Sequence, residues 1–388
     1  MDDLFSGYLT PPTTTVKQVV ESNLTAHKNT LHRQKRQICR LAELALWNVR
    51  NRGRVLPPRI YALGYPFCGS QKRSNLSISK CFSLAGIIGI MGTKSEDKET
   101  KPGEEKIVEM IKMSKLCHSR AEFKKSEQLL HLALRMAYEI QHHDAQRYII
   151  DDMANNAYET GDLKKAEKLF IDTMKHLIAS GVPQDDNSVI HISGKLANLY
   201  AMFDDVDKAN EGFLFCIQNL ETKLEKGVND FDTQALYTLI LSWFGQFLHN
   251  KGDFVQSLNM FEKSLEVSVK INGEHHPHSL LQLNNMAATF TLMNRLQDAL
   301  RCLNKALTLA QEHQMDDGVG DLPYYYINVA NIYLTQVEKA SADSGELLRL
   351  AASSCRNALK WAKLVDDREA LKQAKKCWKK IENYQIAQ

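Results

Sequence analysis

The residue types in this chain that could do chemistry are few, and most of them stand alone. Three histidines crowd the segment His275-His276-Pro277-His278. Adjacent histidines project in different directions, and no carboxylate or thiol pattern completes a metal ligand set, so the segment reads as a turn leading into a helix. Asp151-Asp152 and Asp185-Asp186 are neighbouring carboxylates; such pairs more often mark a helix face and a helix start than an acid and a base. No two of the eight cysteines lie within four residues of each other, so no Cys-x-x-Cys zinc or redox motif exists. Several fall on apolar helical positions, where a thiol acts as a small hydrophobe, and buried free thiols suit a reducing compartment. There is no glycine-rich phosphate loop after a strand, no nucleophile elbow and no His-Glu-x-x-His. An enzyme is not expected, nor a cofactor or metal. What is left is a set of polar residues: Asp151, Asn155, Tyr158, Asn198, Gln246, Asn284 and Asn331. A carboxamide both donates to and accepts from a peptide backbone, so a row of them could hold an extended segment without reading its side chains. Ordinary polar surface or helix capping would need the same residues.

Whether they form a row depends on the elements that carry them, and here self-comparison is decisive. Helix pairs that cannot bury their apolar faces alone must stack, which is the logic of a repeat array. The tetratricopeptide pattern asks for apolar or small residues at positions 4, 7, 8 and 11 of helix A, then small, large and small residues at positions 20, 24 and 27 of helix B. Taking Ala166 as position 20 aligns Ile150, Met153, Ala154 and Ala157, then Phe170 and Thr173. Ala209 aligns Leu196, Ala197, Tyr200, Phe213 and Cys216, and Ser257 aligns Leu241, Phe244, Gly245, Leu248, Phe261 and Ser264. Ala299 aligns Leu283, Met286, Ala287, Phe290, Leu303 and Ala306. An earlier copy runs through Met110, Met113, Ser114, Cys117, Ser126, Leu130 and Ala133. A sixth holds Tyr326, Val329, Ala330 and Tyr333, then Ala351, Cys355 and Ala358, with an insertion around Ala340–Glu346. A last amphipathic helix near Asp367–Tyr384 caps the stack.

The expected fold is therefore all-α: a tetratricopeptide-type superhelix of about six repeats. Successive anchors are 40, 43, 48, 42 and 52 residues apart, against about 34 in the standard repeat, so helices or connections must be longer. In such arrays helix-A positions 2, 5, 9 and 12 line the concave face, which is how the seven polar residues above come to be a candidate groove.

The chain ahead of the repeats has a different composition. Residues 1–95 hold fourteen Lys/Arg against four acids, so a chain of net charge +3 carries +10 there and −7 in the rest. An acidic body argues against nucleic acid as a partner. Ile38, Leu41, Ala42, Ala45, Leu46 and Val49 line one helix face amid arginines and lysines, the look of a mitochondrial targeting arm, although Asp2, Asp3 and Glu21 sit at its start. Residues 81–92 lack charge but are short of the roughly 17–25 residues of a membrane-spanning helix. The expected layout is a basic arm over 1–80, an apolar segment with possible membrane contact over 81–93, a charged linker over 94–106 and the repeat domain over 107–388.

The stretch Asn272–Ala287 resembles the entry to the long repeats of kinesin light chains, which would imply a cytosolic adaptor. Other stretches are more particular. Tyr148–Asn155 with Gly161–Met174, Gln184–Ala197, Phe215-Cys216-Ile217 and the Gly273–His278 turn resemble the mitochondrial tetratricopeptide repeat protein 19 family over about residues 107–385. That resemblance implies a non-enzymatic factor at the mitochondrial inner membrane. It would engage respiratory complex III and help clear fragments of its Rieske iron–sulfur subunit. A motor adaptor should carry a coiled coil, and the chain before residue 107 has no sustained heptad, which favours the mitochondrial reading.

Overall fold

Each expected repeat has two helices because an apolar stripe ends at a residue pair that stops one helix and starts the next. Gly161-Asp162 and Gly252-Asp253 do both jobs. Gly161 and Gly252 take a left-handed conformation at φ +84° that a side chain would strain. Each following aspartate then accepts the backbone N–H of the third residue of the next helix, Lys165 and Gln256 respectively.

A computed structural model of the chain describes residues 103–120, 122–312, 321–339 and 344–386, all of which belong to one compact unit. The basic arm, the apolar segment and most of the charged linker lie outside the described residues. Among the described residues there are thirteen α-helices and no strand. They are α1 (Glu104–Ser119), α2 (Phe123–Glu139), α3 (His143–Thr160), α4 (Leu163–Ala179), α5 (Asn187–Met202), α6 (Val206–Glu225) and α7 (Phe231–Lys251). The chain continues through α8 (Phe254–Asn272), α9 (Pro277–Leu292), α10 (Leu296–Glu312), α11 (Leu322–Lys339), α12 (Gly345–Leu364) and α13 (Arg368–Ile386). Odd-numbered helices from α1 to α11 are the A helices of six repeats, the even ones their B partners, and α13 is the cap. The first helix begins at Glu104, three residues ahead of the expected start of the repeat domain.

The pattern positions explain the packing. Position 24, filled by Leu130, Phe170, Phe213, Phe261, Leu303 and Cys355, is at most 1% exposed in every repeat. Each phenylalanine so buried contributes about 2–3 kcal/mol. Positions 8 and 20 must be small because the two backbones meet there. In the first repeat they are serines that hydrogen-bond each other, Ser114 Oγ to Ser126 Oγ at 2.8 Å. In the fourth, a Cβ on Gly245 would sit 2.7 Å from the Phe261 ring, so only glycine fits. In the sixth, the large residue is replaced by Cys355, whose thiol donates to the Ala374 carbonyl of α13 at 3.2 Å.

The helices that flank the insertion expected around Ala340–Glu346 are lengthened, and residues 340–343 lie outside the described residues. α11 continues six residues past Tyr333 and α12 starts six before Ala351, where α3 and α4 allow three on each side of Ala157 and Ala166. The extra chain thus lengthens both helices by nearly a turn. The middle of the array is also unusual. All seventeen residues from Thr233 to His249 of α7 are buried, because its neighbours cover every side and its sequence is apolar or small and polar all round.

Candidate functional site

The A helices lie side by side, and the polar residues on them bond across from one helix to the next. Asp151 on α3 accepts Lys195 Nζ of α5 at 3.0 and 3.1 Å, and also Asn155 Nδ2 at 3.2 Å. Asn198 of α5 donates to the Tyr158 hydroxyl of α3 at 2.9 Å. Between α11 and α9, Asn328 donates to Asn284 Oδ1 at 2.7 Å. Between α7 and α9, Gln282 donates to Ser242 Oγ at 3.1 Å, and His249 Nδ1 lies 2.8 Å from Thr289 Oγ1. Gln246 donates to Asn250 at 3.1 Å, while its own carbonyl oxygen is buried with no hydrogen-bond partner among the described residues. Asn331 is half-buried on α11, one turn before Thr335, whose hydroxyl bonds the Asn331 backbone carbonyl at 3.0 Å.

The seven candidate residues therefore divide in two. Asp151, Asn155, Tyr158, Asn198 and Asn331 are half-buried and reachable, whereas Gln246 and Asn284 are 6% and 4% exposed. Within the reachable part, α1, α3 and α5 bring charges together. Lys115 of α1 bonds the Tyr148 hydroxyl and lies 3.8 Å from Asp152, and His118 lies 2.6 Å from Glu159. Burial pushes the Asp152 carboxyl up to about 6 against the pull of Lys115, with Asp151 adding to the rise. Burial lowers the Lys115 ammonium despite both aspartates. Glu159 holds the His118 imidazole above its ordinary value through their hydrogen bond. Lys115 with Asp152 and His118 with Glu159 thus form a set of half-buried, mutually paired charges.

The remaining motifs are local. Asp186 caps α5 through the Ser188 N–H at 2.8 Å, and on α3 Asp151 faces Lys195 of α5 while Asp152 faces Lys115 of α1. His276 caps α9 by accepting the His278 N–H at 3.2 Å, with Pro277 as the first helical residue. His278 is fully enclosed among Ser268, Ser279 and Gln282, and burial drives its pKa down to about 3. Among the described residues no three His, Cys, Asp or Glu side chains gather as a metal site would require.

Comparison with known proteins decides what kind of array this is. Residues 237–312, the fourth and fifth repeats, match the tetratricopeptide repeat family. The chain is 34% identical over 300 residues to "Tetratricopeptide repeat protein 19 homolog, mitochondrial" of Drosophila melanogaster, covering 77% of this chain and 78% of that one. The chain belongs to the tetratricopeptide repeat protein 19 family. Its human relative, "Tetratricopeptide repeat protein 19, mitochondrial", is 33% identical over 234 residues, and there the match spans 58% of this chain and 61% of the relative. Among solved structures, a signal-transduction ATPase with a tetratricopeptide-repeat sensor from Pyrococcus horikoshii superposes with a TM-score of 0.51 at 15% identity. It covers 76% of this chain and 42% of its own, and shows the fold alone. As a member of this family the chain is a tetratricopeptide repeat protein, of a kind that binds other proteins.

Seen against that role, the residues absent from the sequence reading are informative. Lys115 and His118 occupy positions 9 and 12 of the first repeat, so the same offsets carried one copy further back would have named them. Lys195 and Asn328 stand at position 6, outside the offsets. Their signal is that a lysine or asparagine at position 6 meets an acid or amide at position 5 of the preceding A helix.

Proposed function

We propose that this member of the tetratricopeptide repeat protein 19 family is a mitochondrial factor that engages respiratory complex III at the inner membrane. In this reading it holds extended fragments of the Rieske iron–sulfur subunit along its concave face so that they can be cleared. The mitochondrial names of the relatives and the basic composition of residues 1–80 support the location. The observation that carries the binding mode is the set of half-buried polar side chains that the A helices α3, α5 and α11 leave within reach, Asp151, Asn155, Tyr158, Asn198 and Asn331. A peptide backbone offers a donor and an acceptor to such groups at nearly every residue. The paired charges of Lys115, Asp152, His118 and Glu159 would receive the polar ends or charged side chains of the segment.

The test is capture of synthetic peptides tiling the Rieske subunit, followed by fluorescence anisotropy, together with native-gel co-migration of the full chain with complex III. Alanine at Asn155, Asn198 and Asn331 is expected to weaken capture about a hundredfold, with each lost amide contact worth about 1 kcal/mol and helicity unchanged. Unaltered capture in that variant would remove the groove. A full-length protein found in the cytosol, without co-migration, would remove complex III.

A further inference from the structure

The carboxy-terminal end of the array differs in charge from everything before it. Residues 96–344 balance at −12, whereas residues 345–388 balance at +5. The positive charge is arranged. On α13, Lys372, Lys375, Lys376, Lys379 and Lys380 are all exposed and fall at i, i+3, i+4, i+7 and i+8, which is a single helix face. Directly opposite, Ala370, Ala374, Cys377 and Ile381 are buried against the array. The preceding helix repeats the device. Arg349, Arg356, Lys360 and Lys363 of α12 lie at i, i+7, i+11 and i+14 and are exposed, again on one stripe. Of these nine cations only Lys372 has an ion-pair partner among the described residues, Glu369 at 4.0 Å. Where α12 meets α13, Leu364 stands 68% exposed next to Lys363, ahead of the exposed Asp366 and Arg368.

We propose that this end of the molecule docks on the surface of an anionic phospholipid bilayer, with the α13 lysine face against the headgroups and Leu364 entering between them. Three features favour a bilayer over an acidic polypeptide or a nucleic acid. The α13 face is made of lysine alone, a flexible point charge suited to a laterally mobile sheet of phosphates; recognition of fixed carboxylates or phosphates favours the rigid arginine fork. Its charges run straight along about 12 Å of helix without a groove to follow a strand. Finally, a large apolar side chain at the tip has no role against a polyanion but gains from the headgroup–acyl boundary. The remainder of the domain is acidic and is repelled by the same surface, so the array would stand away from the membrane on its cap. The inference rests on the inner-membrane part of the reading above and is independent of the partner in the groove.

The experiment is co-sedimentation of the full chain with vesicles of phosphatidylcholine alone and of phosphatidylcholine with phosphatidylglycerol, at low and high salt. Full chain is required, and its basic arm also attracts anionic lipid, so the comparison is between variants. Replacing the five α13 lysines by glutamine is expected to weaken binding to the anionic vesicles about fivefold per lysine. Replacing the same five by arginine should preserve binding, and Leu364→Asp should weaken it severalfold without changing peptide capture in the groove. Circular dichroism confirms that each variant keeps its helices. Glutamine variants that bind vesicles like the parent would overturn the proposal. So would a variant that keeps vesicle binding but loses binding to polyglutamate or RNA, which would assign the face to a polymer. Either failure leaves the groove reading standing, because peptide capture is measured separately.

Discussion

Helices α3 and α7 have the same place in their repeats, yet one keeps a half-open polar face and the other is sealed. α3 keeps Asp151, Asn155 and Tyr158 half-open, with Lys195 and Asn198 of α5 leaning on them. α7 presents the homologous positions as Ser242, Gln246 and His249, all under 9% exposed. The repeat position fixes which way a side chain faces. Its neighbours decide whether that face is open. Charge can be tolerated on α3 because each charge has a partner within reach and water nearby. On α7 only neutral groups survive burial, so the polar slots are filled by Ser, Gln and a histidine whose pKa is pressed down to about 4.

The comparison can be broken most forcefully at the sealed helix. Gly245→Leu drives a side chain into Phe261, and Phe213→Ala empties a site lined by Phe244 and Phe247. Each is expected to cost about 3–4 kcal/mol in urea denaturation. Because an array is stabilised only by nearest neighbours, loss of the seam should also split the unfolding curve into two transitions. A single unchanged transition in Gly245→Leu would show that α7 is not the keystone described.

At the open helix the effect should be smaller and electrostatic. Asp151→Ala leaves Lys195, whose side chain is 10% exposed, without its partner. A loss of about 2 kcal/mol is expected, largely restored when Lys195→Met is added, as a double-mutant cycle would report. Acid sensitivity separates the sealed region around α7 and α9 from the open one around α1 and α3 by sign. His249 and His278 have folded pKa values pressed down to about 4 and about 3, so the unfolded chain binds the protons first. Stability from these histidines is complete above the ordinary histidine value near 6.5 and is lost as pH falls through it toward 4. His118 runs the other way. Its folded pKa is raised, so its contribution is present below 6.5 and fades as pH climbs through the folded value. His278→Gln should flatten the acid limb of a stability–pH profile, and His118→Gln the limb near neutrality. The smallest effect belongs to the exposed pair of Lys251 with Asp204, at 32% and 74% exposure, where Lys251→Ala should change stability by no more than about 0.5 kcal/mol.

Much of this was legible in the chain. The small, large and small residues of the B helices sit at fixed offsets, and those offsets return as six buried contacts, because helix–helix approach distance is a local property of side-chain size. The Gly-Asp turns and the histidine cap were readable for the same reason. Exposure was not. Nothing in the local pattern of Gln246 or Asn284 separates them from Asn155 or Asn198, since their burial is contributed by residues one repeat away. The lateral bonds were equally hidden, for Lys195 finds Asp151 across 44 positions of sequence. The lengthening of α11 and α12 shows a milder limit: an insertion can be counted in sequence, but whether it loops out or winds into its flanking helices depends on what they pack against.

A sealed central helix also bears on how much of this chain a gene can afford to lose. A stop codon that removed only the cap would uncover one side of α11 and of α12 and leave a shorter array with a raw end. One that fell within α7 would take the partner from α5 and α6 at once and leave their aromatic residues facing water. Damage to this family member should therefore grow in steps rather than smoothly with the length deleted, and the steepest step is the twenty-one residues from Phe231 to Lys251.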